Sequence, residues 1–285
     1  LFDCLQLDYF SLDPPDGSID AYGVGDTALA VFPVGSTFLS KDKPGVDHLA
    51  FSTSNAKDAA SLFINDAKHS SGINGAQQIQ VPEGLTQGVF SRFTPMTDLQ
   101  GKSTEFVERM DHIGIASNSN IVAESIFSGK LGLTVESRQT DMEVKVSMES
   151  FTSDKYGVIY KTRPPETMGG LRVSFITIGD TELEFLENFN DQHRAEITHG
   201  TPGNTKQDQG AITKYVDKYG PGLHHLAFKT PDINQTLKHL EKHNFKLIDT
   251  IGREGSRRSL IGFIHPASTG GVLIHFVERE EIIDA

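Results

Sequence analysis

Phe106-Val107-Glu108-Arg109 returns as Phe276-Val277-Glu278-Arg279, and it does not return alone. His48-Leu49-Ala50-Phe51 reappears as His225-Leu226-Ala227-Phe228, and Gly25-Asp26-Thr27 as Gly179-Asp180-Thr181, in the same order along the chain. Three pairs displaced by roughly 150–180 residues describe two copies of one domain in tandem. The division falls between residues 1–108 and residues 109–285. Where one copy keeps a side chain able to do chemistry and the other holds alanine, the difference points to the working copy.

Each half divides again. Strand-like stretches lead into helical ones at Val46–Ser52 and Asn55–Lys68, at Asp111–Ala116 and Ile121–Lys130, and at His224–Thr230 and Asp232–His243. The last helix is the best marked, because Asp232 can cap it and Ile233, Leu237 and Leu240 form one apolar stripe at i, i+4, i+7. Further strands follow at Leu171–Ile178, Glu182–Leu186, Ser259–Ile264 and Val272–Val277, which makes the unit βαβββ. A truncated first unit ends at Thr27–Phe32. The others run from Gly45 to Arg109, from Met110 to Asn188 and from Gly222 to Arg279. Gly35–Pro44 and Asn190–Gly220 read as polar loops, and Gln139–Gly170 adds length to the third unit.

The 285 residues suit two domains, and 37% hydrophobic content is enough for a core in each. A net charge of −12 argues against nucleic acid or an anionic membrane surface as partner. No apolar run reaches the roughly 18–20 residues that span a bilayer. One cysteine, Cys4, excludes an internal disulfide and fits a reducing, cytoplasmic setting. The chain opens at Leu1 without an initiator Met, already structured in character, so residues are expected to precede it.

Side chains alternate along a strand, so each strand has two different faces. His112 and Gly114 share a face opposite Ile113 and Ile115. His225 and Ala227 oppose Leu226 and Phe228. Glu182 and Glu184 oppose Leu183 and Phe185, and His275 opposes Ile274 and Phe276. Four strands therefore offer four candidate metal ligands: His112, Glu184, His225 and His275. His224 falls on the other face and reads as a bystander, and His265, just before a loop, as a backbone contact. Arg253, Arg257 and Arg258 read as a solvated loop, with Arg257 and Arg258 the candidates for binding an anionic substrate group.

The stretches Met110–Ala116, Gly179–Glu187, Gly222–Phe228 and Phe263–His275 resemble the vicinal oxygen chelate superfamily, closest to methylmalonyl-CoA epimerase and glyoxalase I. The likeness is good over 109–285 and weaker over the first half. It implies an α+β fold in which tandem βαβββ units form two half-open barrels, one of them holding a divalent metal. Carried onto this sequence, the family's first three ligand positions match His112, Glu184 and His225, while the fourth holds His275 in place of Glu. The first half has Ala30 where the second has Glu184, keeps His48, and has Glu105 where the second has His275. It is therefore expected to be a non-catalytic copy.

The resemblance further implies a metal-dependent enzyme of the glyoxalase/epimerase type, stabilising an enolate of a carbonyl substrate during proton transfer, with His275 or Glu184 as the base. A mixed His/carboxylate set suits Zn, Co, Ni, Mn or Fe. The substrate expected is a small molecule, an acyl-CoA or a 2-oxo or 2-hydroxy compound. No nucleic-acid or membrane partner is expected, and a homodimer stays open. Four units in one chain also resemble 4-hydroxyphenylpyruvate dioxygenase, a non-haem Fe(II) enzyme. Bleomycin-resistance proteins, which only sequester a ligand, share the fold.

Overall fold

The structure is a computed structural model that describes residues 1–13, 17–189 and 210–280. The described part is mostly sheet. The strands are β1 (Asp8–Leu12), β2 (Ile19–Val24), β3 (Thr27–Val31), β4 (Leu49–Ser52), β5 (Lys68–Ser71), β6 (Gln77–Val81) and β7 (Ser91–Thr94). The second half supplies β8 (Arg109–Ala116), β9 (Thr134–Lys145), β10 (Met148–Ser153), β11 (Gly157–Thr162), β12 (Glu166–Ile178) and β13 (Thr181–Phe189). After these come β14 (Gly222–Lys229), β15 (Arg253–Glu254), β16 (Leu260–Ile264) and β17 (Leu273–Glu278). The helices are α1 (Ala56–Ser61), α2 (Asn120–Phe127), α3 (Ala211–Tyr219) and α4 (Ile233–Lys242). No described helix is long and apolar enough to cross a membrane.

Eight strands form one sheet in the order β15-β16-β17-β14-β8-β13-β12-β9. At its centre β8 pairs antiparallel with β14, and on its other side parallel with β13. The sheet curls: the backbone N–H of Arg257, beyond β15, donates to Gln139 Oε1 of β9 at 3.2 Å, so opposite edges meet. One face is apolar. Ile113, Ile115, Leu183, Phe185, Leu226, Phe228, Ile274 and Phe276 all belong to the main core. Helices α2 and α4 bury Phe127 and Leu237 into the same core, and Asp232 caps α4 by accepting from the Gln235 N–H, as its sequence predicts.

Residues before Arg109 build two separate sheets, β1-β2-β3 and β4-β7-β6-β5. In the second half β8 lies between β13 and β14; no described strand holds that place between β3 and β4. The two halves nonetheless share the core, with Phe51 and Phe127 ring centroids 6.4 Å apart. The repeated Gly-Asp pairs are matching hairpin turns, with φ of 61° at Gly25 and 60° at Gly179. They touch, since the Asp26 N–H donates to Asp180 Oδ2 at 3.0 Å.

Two expectations need correction. The first Phe-Val-Glu-Arg is not a closing strand: Phe106 and Val107 are buried in irregular chain leading into β8, whereas Phe276–Glu278 lie in β17. The closing strand of that unit is β7. The expected loop Asn190–Gly220 contains α3, whose Ile212, Tyr215 and Val216 pack on Val173 and Leu186; its residues 190–209 lie outside the described part. The extra length read at Gln139–Gly170 is present as strand. It lengthens β9 and β12 and adds the separate hairpin β10–β11, in which every residue of β11 is exposed.

Candidate metal centre

The four proposed ligands meet on the concave face, and the strand register explains how. Glu184 and His225 both pair with Gly114, from either side of β8. A Cβ at 114 would lie 2.1 Å from His225 Cε1, so glycine is what leaves room for the ring. Over that gap His225 Nε2 and Glu184 Oε2 stand 3.2 Å apart. The neighbouring strand repeats the device, because Ala227 is flanked by His112 and His275. Ring centroids of His112 and His275 are 5.0 Å apart, and His112 Nε2 is 3.2 Å from His225 Nε2 and 3.4 Å from Glu184 Oε2. A His with a small residue two positions on, in two adjacent antiparallel strands, brings four polar side chains to one point.

Nitrogens of His112, His225 and His275 lie within 4.8 Å of one another. His275 is 4% exposed, and neither of its ring nitrogens has a hydrogen-bond partner. An imidazole buried in that state is costly unless something uses its lone pair. Three imidazoles and a carboxylate form a donor set that fits a divalent cation, so the residues present fit the metal expected of them.

The electrostatics agree. Burial, with His225 and His112 beside it, holds His275 well below its ordinary pKa and so neutral. Burial likewise lowers His225, only partly opposed by Glu184. At Glu184 burial pushes upward, but the facing His112 and His225 outweigh it and keep the carboxyl below its ordinary value. His112 moves up, because Glu184 and Asp111 together overcome its burial.

Groups behind the ligands set their orientation. His112 Nδ1–H donates to Asp111 Oδ1 at 2.8 Å, leaving Nε2 for the centre. Arg279 holds Asp111 Oδ2 at 3.1 Å. Burial raises the Asp111 carboxyl, yet the His112 hydrogen bond and the arginines bring it well below the usual carboxylate range. His224 is not a bystander. A bulge between Leu223 and His225 turns it toward the cavity, where its Nδ1 lies 2.9 Å from His225 Nδ1. Burial lowers His224 to about 3, so it is neutral and able to accept that hydrogen bond.

The centre opens into a cavity of about 220 Å³ with apolar walls that include Leu171, Val173, Phe175, Ile212 and Phe263. Arg257 lines it, but its guanidinium is held by both Glu182 oxygens and lies 4.1 Å from the Phe175 ring centroid. Arg258 is exposed and not part of the lining. Asp141, on β9 opposite Leu171, also reaches the cavity. Nothing in the sequence singled it out, since it lies in the stretch Gln139–Gly170, which reads only as added length. His265 makes the backbone contact expected of it, accepting from the Ala267 N–H at 3.1 Å.

Residues 111–263 match the Glyoxalase/Bleomycin resistance protein/Dioxygenase superfamily, and the chain belongs to that family. Uncharacterized protein YqjC of Bacillus subtilis (strain 168) is 28% identical over 172 residues, covering 60% of this chain and 93% of its own length. The mitochondrial methylmalonyl-CoA epimerase of Dictyostelium discoideum is 25% identical over 111 residues, 39% of this chain and 57% of that protein. The Bos taurus epimerase is 25% identical over 105 residues, 37% of this chain and 51% of that protein. The chain thus spans only about half the length of these two epimerases. The solved methylmalonyl-CoA epimerase of Mycobacterium tuberculosis aligns with a TM-score of 0.42 and 23% identity, over 63% of this chain and 93% of that one.

Proposed function

We propose that this chain is a metal-dependent proton-transfer enzyme of the epimerase/glyoxalase type, acting beside the carbonyl of a small acyl compound. The observation that carries this reading is the convergence of His112, Glu184, His225 and His275, with His275 unpartnered, at one end of an apolar cavity. A divalent metal held by these four residues would act there as a Lewis acid on substrate oxygen. Asp111 and His224 fix the ring orientation of His112 and His225, as carboxylates and acceptors behind metal-binding histidines do. The apolar walls exclude water and strengthen every charge interaction inside. Glu184 or His275 serves as the base on one side. Asp141 reaches the cavity from a distant strand and can hold a second proton, which is what removal from one face and return to the other requires.

At about 220 Å³ the cavity falls below the roughly 300–1,000 Å³ of drug-sized sites. It takes the acyl end of an acyl-CoA, or a small 2-oxo or 2-hydroxy compound, and leaves any nucleotide outside. Residues 1–108 are a diverged copy of the same domain without a metal centre, supported by the paired Gly-Asp turns and by the change at the Glu184 and His275 positions. A second reading, a non-haem Fe(II) dioxygenase, draws on His112, His225 and Glu184 as two histidines and a carboxylate, but it leaves His275 without a role.

The test is elemental analysis of protein purified without chelators, beside His225→Ala and His275→Ala variants, followed by deuterium incorporation into acyl-CoA and 2-oxo substrates in D2O. About one equivalent of Zn, Co, Ni or Mn in the parent, loss in the variants and exchange at the carbon next to the carbonyl are expected. Iron with oxygen uptake transfers the assignment to the dioxygenase. Unchanged metal content in both variants, or no metal after divalent ions are restored, ends the metal-centre reading and leaves a ligand-sequestering protein.

A further inference from the structure

In the first half, β4 and β7 pair in parallel just as β14 and β17 do in the second. Within the repeated His-Leu-Ala-Phe, Ala227 faces His275 across the ladder and Ala50 faces Arg92. Arg92, not Glu105, is therefore the counterpart of His275, and a fixed cation stands where the second half has a candidate metal ligand. Arg92 is 2% exposed, and its guanidinium lies 4.5 Å from the Phe38 ring centroid and 5.4 Å from that of Phe90. Both rings also pack around His48, the counterpart of His225. One Arg92 nitrogen, Nη2, donates to the Phe38 carbonyl, while Nε and Nη1 are buried with no acceptor. Asp47, whose charge acts on Arg92 from a distance, accepts its hydrogen bonds from His48, Ser40 and the Lys41 N–H. Burial lowers Arg92, but only to about 10, so it keeps its charge.

A buried guanidinium with two unsatisfied N–H groups is costly by itself, and an oxyanion offers the acceptor oxygens and the negative charge that the surrounding side chains do not. We propose that Arg92, with His48 beside it, forms a binding site for a small oxyanion in the first half of the chain. The site replaces metal-based recognition of oxygen with guanidinium-based recognition, and it is independent of the metal centre in the second half.

The test is thermal unfolding and isothermal titration of the full chain with inorganic phosphate or acetate, against chloride at matched ionic strength. Either oxyanion at about one hundred times its Kd should raise Tm by about 5 °C over chloride. A response to phosphate alone assigns a phosphate-bearing ligand; an equal or larger response to acetate assigns a carboxylate. Arg92→Met should abolish the response, and His275→Ala should keep it. If Arg92→Met does not fold, Arg92→Lys decides, because losing the planar guanidinium and its Nε–H donor should weaken binding at least about tenfold. No oxyanion-specific shift, or a shift that survives at Arg92→Met (or undiminished at Arg92→Lys where that variant decides), overturns the site.

Discussion

Gly114 does as much for the candidate centre as any ligand. Glu184 and His225 approach each other across it, and a methyl group there would occupy space now filled by the His225 ring. Gly114→Ala should therefore lower metal affinity about 10–100-fold and cost about 1–3 kcal/mol of stability. Competition with a chromogenic chelator and thermal unfolding measure the two effects, and unchanged affinity would refute convergence over Gly114. The four converging side chains were legible in the sequence because strand alternation puts each of them opposite an apolar pair, and Gly114 and Ala227 fell on the right faces for the same reason. His224 was not, because a bulge breaks the alternation at the one place where it mattered. Nor was Arg92, because the repeated Phe-Val-Glu-Arg points to Phe106, in irregular chain, and away from β7.

At the scale of elements, β9 and β12 carry an appendage that the site does not use. The hairpin β10–β11 exposes Phe151, Ile159 and Tyr160 and shares no ladder with the eight-stranded sheet. The last pair holding β9 to β12 is Lys145 with Glu166. Replacing residues 146–165 with Asn-Gly, a pair suited to a two-residue turn, should leave metal content unchanged and shift Tm by less than about 3 °C. Metal loss in that variant would show that the hairpin supports the centre. The four helices of the described residues divide in a similar way between what was legible and what was not. Helix α4 announced itself by cap and stripe. Helix α3 has its own apolar spacing at Ile212, Tyr215 and Val216, but it follows a long polar stretch whose composition hid it.

At the scale of the molecule, the repeat describes ancestry better than independence. Phe51 and Phe93 of the first half and Phe127 and Phe185 of the second lie in one core, and Phe2 reaches Phe228 at 6.3 Å between ring centroids. Calorimetry should therefore show one unfolding transition, with calorimetric and van't Hoff enthalpies equal within error. Two separated peaks would mean that the shared core does not couple the halves. The βαβββ grammar placed the main strands of the second half in its sheet, although it foresaw neither α3 nor the hairpin β10–β11. In the first half it misplaced the closing strand, because no described strand stands between β3 and β4 to keep the register.

The central position of β8 also has a consequence in time. Both of its partners, β13 and β14, are synthesised after it, so the ribosome releases β8 long before any neighbour exists to cover Ile113 and Ile115. His275 lies on β17, the last strand among the described residues. A nascent chain stalled before β17 would carry three of the four converging side chains and an open sheet edge. Quality control would meet it as a sticky, half-armed intermediate.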